Sequence, residues 1–454
     1  MKRMPFLLLP LFFAANLFAQ TTPGKQLTFK QAIDAALEKN IDILRAQNTL
    51  EGQQSAVLSA YGNFLPSLSA SGGWTRSESH QPGSTGGFII VLGQPIPTPG
   101  TSGVTTNNSF RTGISASMTL FDGFNNTSNL NKASATAVSN EFTLYRTQQS
   151  IVFQTQTLYL QVLRNRTLLS VSQDNLKTSQ QQLQRIVESN KVGAVAAADV
   201  YRQQVQTAND ELSLIRAQNT YDNSKADLLF LLSLDVVQDY DISDSQLIAE
   251  AERADAAEAK GMYSDYNQLV SQALAARPDY QAALYSKQSA ESDVTISRSG
   301  YLPTISATAG YSLNNSEIAT ISDNKFMNWG ISFSLPLFNG FQTNTQVQAA
   351  KLRLRNSEDQ VALAVRQVQV DVRKAMLNFE SSIKQLDVSL KSVISATEDR
   401  RIAEERYNLG AGILLDLLTA NANYTQAVSN KVNAQYDLVL AKQQLKYVVG
   451  AEKY

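Results

Sequence analysis

The chain has 454 residues, with 39 basic and 40 acidic side chains and a formal net charge of −1 at pH 7. Only 17% of the residues are charged, against about 25% in typical soluble proteins, and no Lys/Arg cluster accompanies aromatic residues, so a nucleic-acid partner is not indicated. There is no cysteine, and His80 is the only histidine. This composition excludes thiolate chemistry and argues against a histidine metal site or a Ser-His-Asp triad. We therefore expect no catalytic residue, cofactor or metal site.

The first residues are typical of a secretory signal. Lys2 and Arg3 precede an apolar segment from Phe6 to Phe18, and cleavage is expected after Ala19, which makes residues 1–19 the signal peptide. No later apolar run reaches about 18 residues, so any membrane crossing must use strands.

The first half of the remaining chain, residues 20–262, predicts a series of helices and strands. A half-length helix ends near Phe64, before Pro66. Residues of alternating character then predict strands at about 66–76 and 108–120. They are followed by a long helix over 124–192 and a half-length helix over 196–232. An equatorial segment over 235–262 is then predicted to wrap around the outside of the long helices, midway along their length. The loop 77–107 contains an apolar patch from Phe88 to Leu92, which is either an extra strand or a contact at a membrane rim.

The second half, residues 263–454, repeats this order. A half-length helix is followed by strands at about 303–313 and 326–336, a long helix over 341–409 and a half-length helix over 413–449. Leu302-Pro303 matches Leu65-Pro66 at an offset of 237 positions. We interpret the chain as a duplicated unit of long coiled-coil helices plus a β-hairpin.

The two long helices are the most regular stretches. Phe124 to Val192 and Phe341 to Leu409 each contain 69 residues without Gly or Pro, and apolar residues recur at steps of three and four. Such a helix would be about 100 Å long. It needs helical neighbours along its whole length.

The strands predict a membrane β-barrel, because one face is apolar and the other is small and hydroxyl-rich. Aromatic residues gather at the strand ends as membrane girdles do; the girdle residues are Trp74, Phe110, Tyr311 and Trp329 at one end and Phe121 and Phe338 at the other. The alternative is a soluble sandwich. Four strands cannot close in lipid, so closure requires several copies, and three copies would supply twelve strands.

Taken together, these motifs resemble the outer-membrane efflux proteins, the TolC-like channel-tunnels of tripartite efflux and type I secretion systems. The resemblance covers essentially the whole mature chain. It rests on the duplicated order of elements, the two Leu-Phe-(Asp/Asn)-Gly-Phe turns, the segment Arg406 to Gly410 and the segment Leu414 to Leu418. It implies a mainly α protein with a membrane β-barrel portion. The homotrimer would form a 12-stranded β-barrel in the outer membrane, continued by an α-helical barrel in the periplasm.

The resemblance also implies where partners dock. Gly193 and Gly410 are predicted to end the long helices, because glycine adopts the left-handed conformation that terminates a helix. In the family this tip receives periplasmic adaptor hairpins. The corresponding residues here are Gly193, Ala194, Val195, Gly410, Ala411 and Gly412.

Two acidic residues follow the turn glycines by six positions, Asp199 and Asp416. They either compensate a helix dipole or line the pore, and the two roles are compatible. The resemblance matches Asp416 to an acidic ring at the pore constriction, and Asp199 and Tyr407 to links that close the tip. The sequence departs from the family at Gly412, where a link-forming arginine is expected, and at Thr419, where a second acid is expected.

We interpret the protein as a passive exit duct in a Gram-negative type of envelope. Its expected partners are two further copies of itself, a periplasmic membrane-fusion adaptor, an inner-membrane pump of the RND, ABC or MFS type, and outer-membrane lipid. The cargo is open: drugs, metal ions, solvents or secreted polypeptides. A trimeric coiled-coil surface protein or adhesin is the alternative, although it needs neither two tandem copies nor aromatic-girdled hairpins.

Overall fold

The computed structural model describes residues 25–81, 87–97, 103–244, 247–249 and 265–451. The protein is mainly helical, with 70% of the described residues in helices. No helix within the described ranges combines the length and apolar character that a membrane crossing requires. The expected signal peptide lies outside the described residues, as does most of the equatorial segment.

The elements of the first half follow in this order: β1 (Lys25–Gln26), α1 (Phe29–Lys39), α2 (Ile41–Gly62), β2 (Ser67–Gln81), β3 (Phe88–Val91), β4 (Gln94–Pro97), β5 (Gly103–Phe121), α3 (Asn125–Lys191), α4 (Ala197–Leu231) and β6 (Tyr240–Asp241). Those of the second half are α5 (Tyr266–Ala276), α6 (Pro278–Ser299), β7 (Thr304–Asn315), a 3-10 helix (Ile318–Asp323), β8 (Lys325–Ser334), α7 (Gln342–Asn408) and α8 (Leu414–Val449).

Each expected half-length helix before a hairpin is divided in two by a local break. Asn40 leaves the helical conformation (φ −65°, ψ 129°), and its Oδ1 accepts hydrogen bonds from the backbone N–H of Asp42 at 2.9 Å and of Ile43 at 3.4 Å. Asn40 therefore ends α1 and caps α2. At the equivalent place Arg277 is extended (φ −72°, ψ 123°) and Pro278 begins α6, where its missing N–H costs no helical bond.

The first hairpin is longer than its sequence pattern predicts. Ser67–Gln81 pairs with Gly103–Ser117 in one continuous antiparallel register, whereas alternation alone placed strands at about 66–76 and 108–120. The apolar patch is strand rather than loop. Phe88–Val91 pairs with Gln94–Pro97, and Leu92 and Gly93 form the turn with φ of 54° and 84°, as in a two-residue type I′ hairpin.

The chain forms two compact units, and neither coincides with a sequence half. The first comprises Met1–Ile43, Gln148–Leu269 and Val372–Tyr454; the second comprises Leu44–Thr147 and Val270–Asp371. Each unit takes residues from both halves because α3 and α7 each contribute to both. The duplicated order of elements is therefore not a division into two separately packed domains.

The core of the first unit includes a contact between α7 and α8. Large residues of α7 pack against small residues and a leucine of α8, in a buried cluster of Phe379, Ile383, Leu386, Ala434, Leu438 and Ala441. Alternating large and small side chains let two helices pack closely. Elsewhere in this unit, the buried Tyr159 hydroxyl donates to the Leu27 carbonyl oxygen at 2.9 Å.

The second unit contains a four-stranded antiparallel sheet in the order β2-β5-β7-β8. The strand register places Ala70 opposite Ile114, and Ile114 opposite Tyr311. Serines meet on the other face, where the hydroxyls of Ser67 and Ser117 lie 2.7 Å apart. The sheet thus has one apolar face and one hydroxyl-rich face.

Candidate functional site

The apolar face of the sheet is exposed in the single chain. Trp329 is 81% exposed, Ile331 71% and Phe333 66%, all on β8. Leu68 at the opposite edge is 73% exposed. A continuous exposed apolar patch of this kind marks a surface that meets a membrane or another protein.

The four aromatic residues predicted at one end of the strands lie on a diagonal across the sheet. Trp74 pairs with Phe110, and their rings stack with centroids 6.3 Å apart. Tyr311 pairs with Ile114, four residues after Phe110 in β5, and Trp329 pairs with Ala309, two residues before Tyr311 in β7. Strands tilted by about 35–45° bring such a diagonal to a single level in a membrane.

At the other end of the sheet the aromatic residues repeat the same contact. Phe121 meets Phe124 edge to face with ring centroids 5.5 Å apart, and Phe338 meets Phe341 at the same distance. In each turn two consecutive residues have positive φ, Gly123 (68°) with Phe124 (70°) and Gly340 (63°) with Phe341 (64°). The shared left-handed backbone explains why both turns keep glycine before phenylalanine.

The hydroxyl-rich face has small side chains and many polar pairs. Ser69 and Ser115 hydroxyls lie 2.8 Å apart, and those of Ser306 and Ser332 lie 2.7 Å apart. Gly113 lies among them because a Cβ there would come within 2.8 Å of the Tyr311 carbonyl oxygen. This face is suited to water rather than to lipid.

A second candidate surface, in the first unit, contains both helix-ending turns. Gly193 (φ 79°) follows α3 and Gly410 (φ 71°) follows α7. Ala194 N–H donates to Ser189 O at 2.9 Å, and Ala411 N–H donates to Arg406 O at 2.8 Å, as in a left-handed helix cap. Exposed apolar residues surround the second turn, namely Leu409 at 83%, Ile413 at 62% and Leu415 at 59%.

Asp199 and Tyr407 line one open cavity of about 1600 Å³, together with Ala194, Val195, Gly410 and Gly412. Asp199 lies in the first turn of α4, and its Oδ1 accepts from Arg202 Nη1 at 3.1 Å. The Tyr407 hydroxyl is buried and has no hydrogen-bond partner within the described part of the chain. Burial, and then the negative charge of Asp199, raise the pKa of Tyr407.

Asp416 is exposed in the first turn of α8 and is not among the residues that line this cavity. The structure therefore places Asp199 and Tyr407 on one cavity, whereas Asp416 does not line it. Its position favours compensation of the helix dipole and leaves the carboxylate available to a ligand or to another copy of the chain.

The two departures from the family pattern have simple local environments. A Cβ at Gly412 would lie 3.1 Å from Arg406 Cβ, so a larger residue there requires Arg406 to move. The Thr419 hydroxyl donates to the Leu415 carbonyl oxygen at 2.9 Å, within its own helix. Sequence reasoning missed Arg202 as the partner of Asp199, although the i,i+3 spacing was an available signal.

Comparisons with known proteins bear on these surfaces. The sequence model described as Outer membrane efflux protein matches residues 32–233 and 269–451. Outer membrane protein TolC of Salmonella enteritidis is 23% identical over 452 residues, 98% of this chain and 86% of that protein. Outer membrane efflux protein BepC of Brucella suis is 24% identical over 438 residues, 93% of this chain and 90% of that protein. The CmeC outer membrane channel of Campylobacter jejuni has a similar structure, with a TM-score of 0.77, 19% identity, and coverage of 93% of this chain and 85% of that chain.

Proposed function

The chain belongs to the outer membrane efflux protein family and is an outer-membrane channel of an efflux system, and from this premise we propose how its surfaces carry out that task. The observation that carries the proposal is the sheet with one exposed apolar face and one hydroxyl-rich face. Lipid contacts the first face and aqueous cargo passes the second. The family is one of transport channels, and the surface-adhesin alternative is not favoured.

We propose that the working unit is a homotrimer. In a single sheet β2 and β8 are edge strands, and an edge in lipid leaves backbone N–H and C=O groups unsatisfied at several kcal/mol each. Pairing β2 of one copy with β8 of the next satisfies these groups, and three copies close a twelve-stranded barrel. The long helices α3 and α7 continue the conduit as a helical barrel in the periplasm.

At the helix-ending turns we propose an adaptor-docking surface and a gate. Gly193, Ala194, Val195, Gly410, Ala411 and Gly412 provide small side chains for close docking of a periplasmic adaptor, through which an inner-membrane pump delivers cargo. Three copies of Asp416 form an acidic constriction, while Asp199 and Tyr407 hold the closed state. Gly412 and Thr419 make closure and cation selectivity weaker than an arginine and a second acid would.

The test is conductance of the purified protein in planar lipid bilayers. Wild type is compared with Asp416→Ala and with a control, Asp34→Ala, which removes an exposed carboxylate from α1. We expect a small cation-selective current, blocked by a multivalent cation added on one side only. Asp416→Ala should relieve the block because the carboxylates that attract the cation are gone, and Asp34→Ala should not.

Two results contradict different parts of the proposal. If the wild type conducts and Asp416→Ala does not change the current or its block, the channel proposal stands and the acidic constriction is refuted. No current at all, even from a variant with both Asp199→Ala and Tyr407→Phe, contradicts the proposed conduit. The efflux cargo is then tested separately by uptake of dyes and drugs in cells that lack the gene.

A further inference from the structure

The hairpin of β3 and β4 is an apolar surface that the channel function does not explain. Its large side chains are exposed: Phe88 70%, Ile89 53%, Ile90 77%, Val91 46%, Leu92 101% and Ile96 46%. An isolated two-stranded hairpin is marginally stable in water. An exposed apolar hairpin of this size indicates a partner.

The strands β2 and β5, which precede and follow the hairpin in the chain, extend beyond the four-stranded part of the sheet. Pairing of β5 with β7 begins at Phe110, whereas β2 and β5 continue for seven more residue pairs, from Thr75–Ser109 to Gln81–Gly103. This extension is about 23 Å long at 3.3 Å per residue. It continues the face of Trp74 with Arg76 and Glu78, whose side chains form an ion pair at 3.6 Å. Ionic groups here indicate water, so lipid is not the natural partner of the hairpin.

The hairpin has two apolar faces rather than one. Phe88, Ile90 and Pro95 share one face by the strand register, and Ile89, Val91 and Ile96 share the other. A single flat partner would cover only one of them. In a ring of three identical copies every copy meets two neighbours, so both faces are buried.

The charge and edge properties of the segment also suit self-association. Between Glu78 and Arg111 the sequence has no Asp, Glu, Lys or Arg, so identical copies meet without like-charge repulsion. Pro95 and Pro97 remove N–H donors from β4, which prevents that edge from extending into a longer sheet. Contact is therefore through side-chain faces.

Resting on the trimer of the proposed function, we infer that the β3–β4 hairpins of three copies pack against one another in an apolar cluster. The occupant of each hairpin's exposed faces is thus a second copy of this chain. The hairpin connects the ends of β2 and β5 that lie away from α2 and α3. In an outer-membrane channel with periplasmic helices, the cluster lies on the cell-surface side of the barrel and narrows its exit.

The chain has no cysteine, so single-cysteine cross-linking tests this directly. Leu92→Cys places a thiol at the hairpin turn, and Ile318→Cys is the control, at a 68% exposed residue in the β7–β8 connection. The full-length trimer is oxidised in lipid vesicles and run on denaturing gels. Leu92→Cys should give covalent dimers from up to two of the three copies, because a disulfide needs Cα atoms about 4.4–6.8 Å apart. Ile318→Cys should stay monomeric.

A second variant distinguishes cross-links formed within the cluster from cross-links formed by chance collision between copies. Adding Ile90→Lys to Leu92→Cys puts one positive charge per copy into the cluster and should abolish the cross-link while native mass still shows a trimer. It should also raise single-channel conductance. If trimers form but Leu92→Cys does not cross-link, or if a fluorophore attached to the thiol of Leu92→Cys is quenched by nitroxide lipids, the cluster is refuted and the channel proposal stands. If native mass shows no trimer, the proposed trimer itself fails.

Discussion

Arg277 connects α6 to α7 within the second compact unit, and its replacement tests what stabilises the break between α5 and α6. Its side chain is only 2% exposed. Nε donates to Asp279 Oδ1 at 3.0 Å, and Nη2 donates to Oδ2 of the same carboxylate. Nη1 donates to Asp371 Oδ2 at 3.0 Å. One buried cation therefore holds two carboxylates from two helices.

Arg277→Met keeps much of the apolar stem and removes the cation. Removing one member of a buried ion pair costs about 3–5 kcal/mol when the remaining charge stays buried without a partner. Here the side chains of Asp279 and Asp371 are 37% and 25% exposed, so water screens part of the remaining charge. Arg146 Nε lies 3.7 Å from Asp279 Oδ2 and compensates in part. We therefore expect a loss at the lower end, about 3 kcal/mol, which corresponds to an opening equilibrium about 150-fold larger.

Hydrogen exchange followed by mass spectrometry measures this opening locally, in peptides covering residues 270–290. The matched control is Arg353→Met in the same unit. Arg353 is 55% exposed, and its Nε donates to Asp293 Oδ2 at 3.3 Å. An exposed pair is worth about 0–1 kcal/mol, so exchange should change by less than about fivefold. Equal effects of the two substitutions would refute the view that burial of Arg277 sets the cost.

The same contact predicts a pH dependence. Burial alone would raise the pKa of Asp279, but the hydrogen bond from Arg277, with the charges of Arg146 and Arg277, holds that pKa below its usual value. A carboxyl with a lowered folded pKa stabilises the fold above its unfolded pKa of about 3.9 and loses that contribution as the pH falls through the folded value. The difference in protection between wild type and Arg277→Met should be complete near neutral pH and shrink below about pH 4. A constant difference down to about pH 2 would contradict this.

Three further substitutions have matched controls within the chain. Gly123→Ala should lower the thermal midpoint of unfolding more than Gly340→Ala. Both glycines have positive φ, but a Cβ at Gly123 would lie 2.7 Å from Leu302 Cβ, whereas a Cβ at Gly340 would meet nothing within 4 Å. Equal midpoints for the two variants would contradict this steric argument. Tyr159→Phe should lower the midpoint, because it loses the 2.9 Å bond to Leu27 O and about 1 kcal/mol. Tyr201→Phe, at a side chain that is 68% exposed, should leave the midpoint unchanged. Gly113→Ala should destabilise the sheet by about 1–3 kcal/mol, because the new Cβ would meet backbone atoms; urea denaturation measures this loss. Gly73 has open space around it, so Gly73→Ala should change the free energy of unfolding little.

The sequence patterns that predicted most are those whose period is imposed by geometry. Alternation over Leu68, Ala70 and Trp74 assigned one face of β2, and the observed register places the same residues on one face. In the long helices, the absence of Gly and Pro predicted 124–192 and 341–409, and the structure has Asn125–Lys191 and Gln342–Asn408. Both patterns are local, so they can be recognised in the sequence without knowing which residues pack against them.

The features that sequence reasoning missed depend on individual side-chain contacts or turn conformations, not on a repeated pattern. The break at Asn40 follows from a side-chain cap that competes with an otherwise helical pattern. The turn of the apolar hairpin places Leu92 at φ 54°, a position where Asn or Gly is the usual signal. Burial of Arg277 depends on Asp371, 94 positions away. None of these is visible as a period in the sequence.

The proposed assembly of several copies explains the exposed surfaces of the single chain together. A soluble monomer would place Trp329 and Phe333 inside and the serines outside, yet here both faces of the sheet and both of its edge strands are open. In the proposed channel, lipid contacts the apolar face and water contacts the serines, but neither explains the edge strands or the uncharged hairpin. In the proposed trimer a neighbouring copy pairs with each edge strand and also packs against the hairpin, so one assembly would satisfy both surfaces. We therefore expect the pairing of the edge strands and the contact between hairpins to be two parts of one interface between copies.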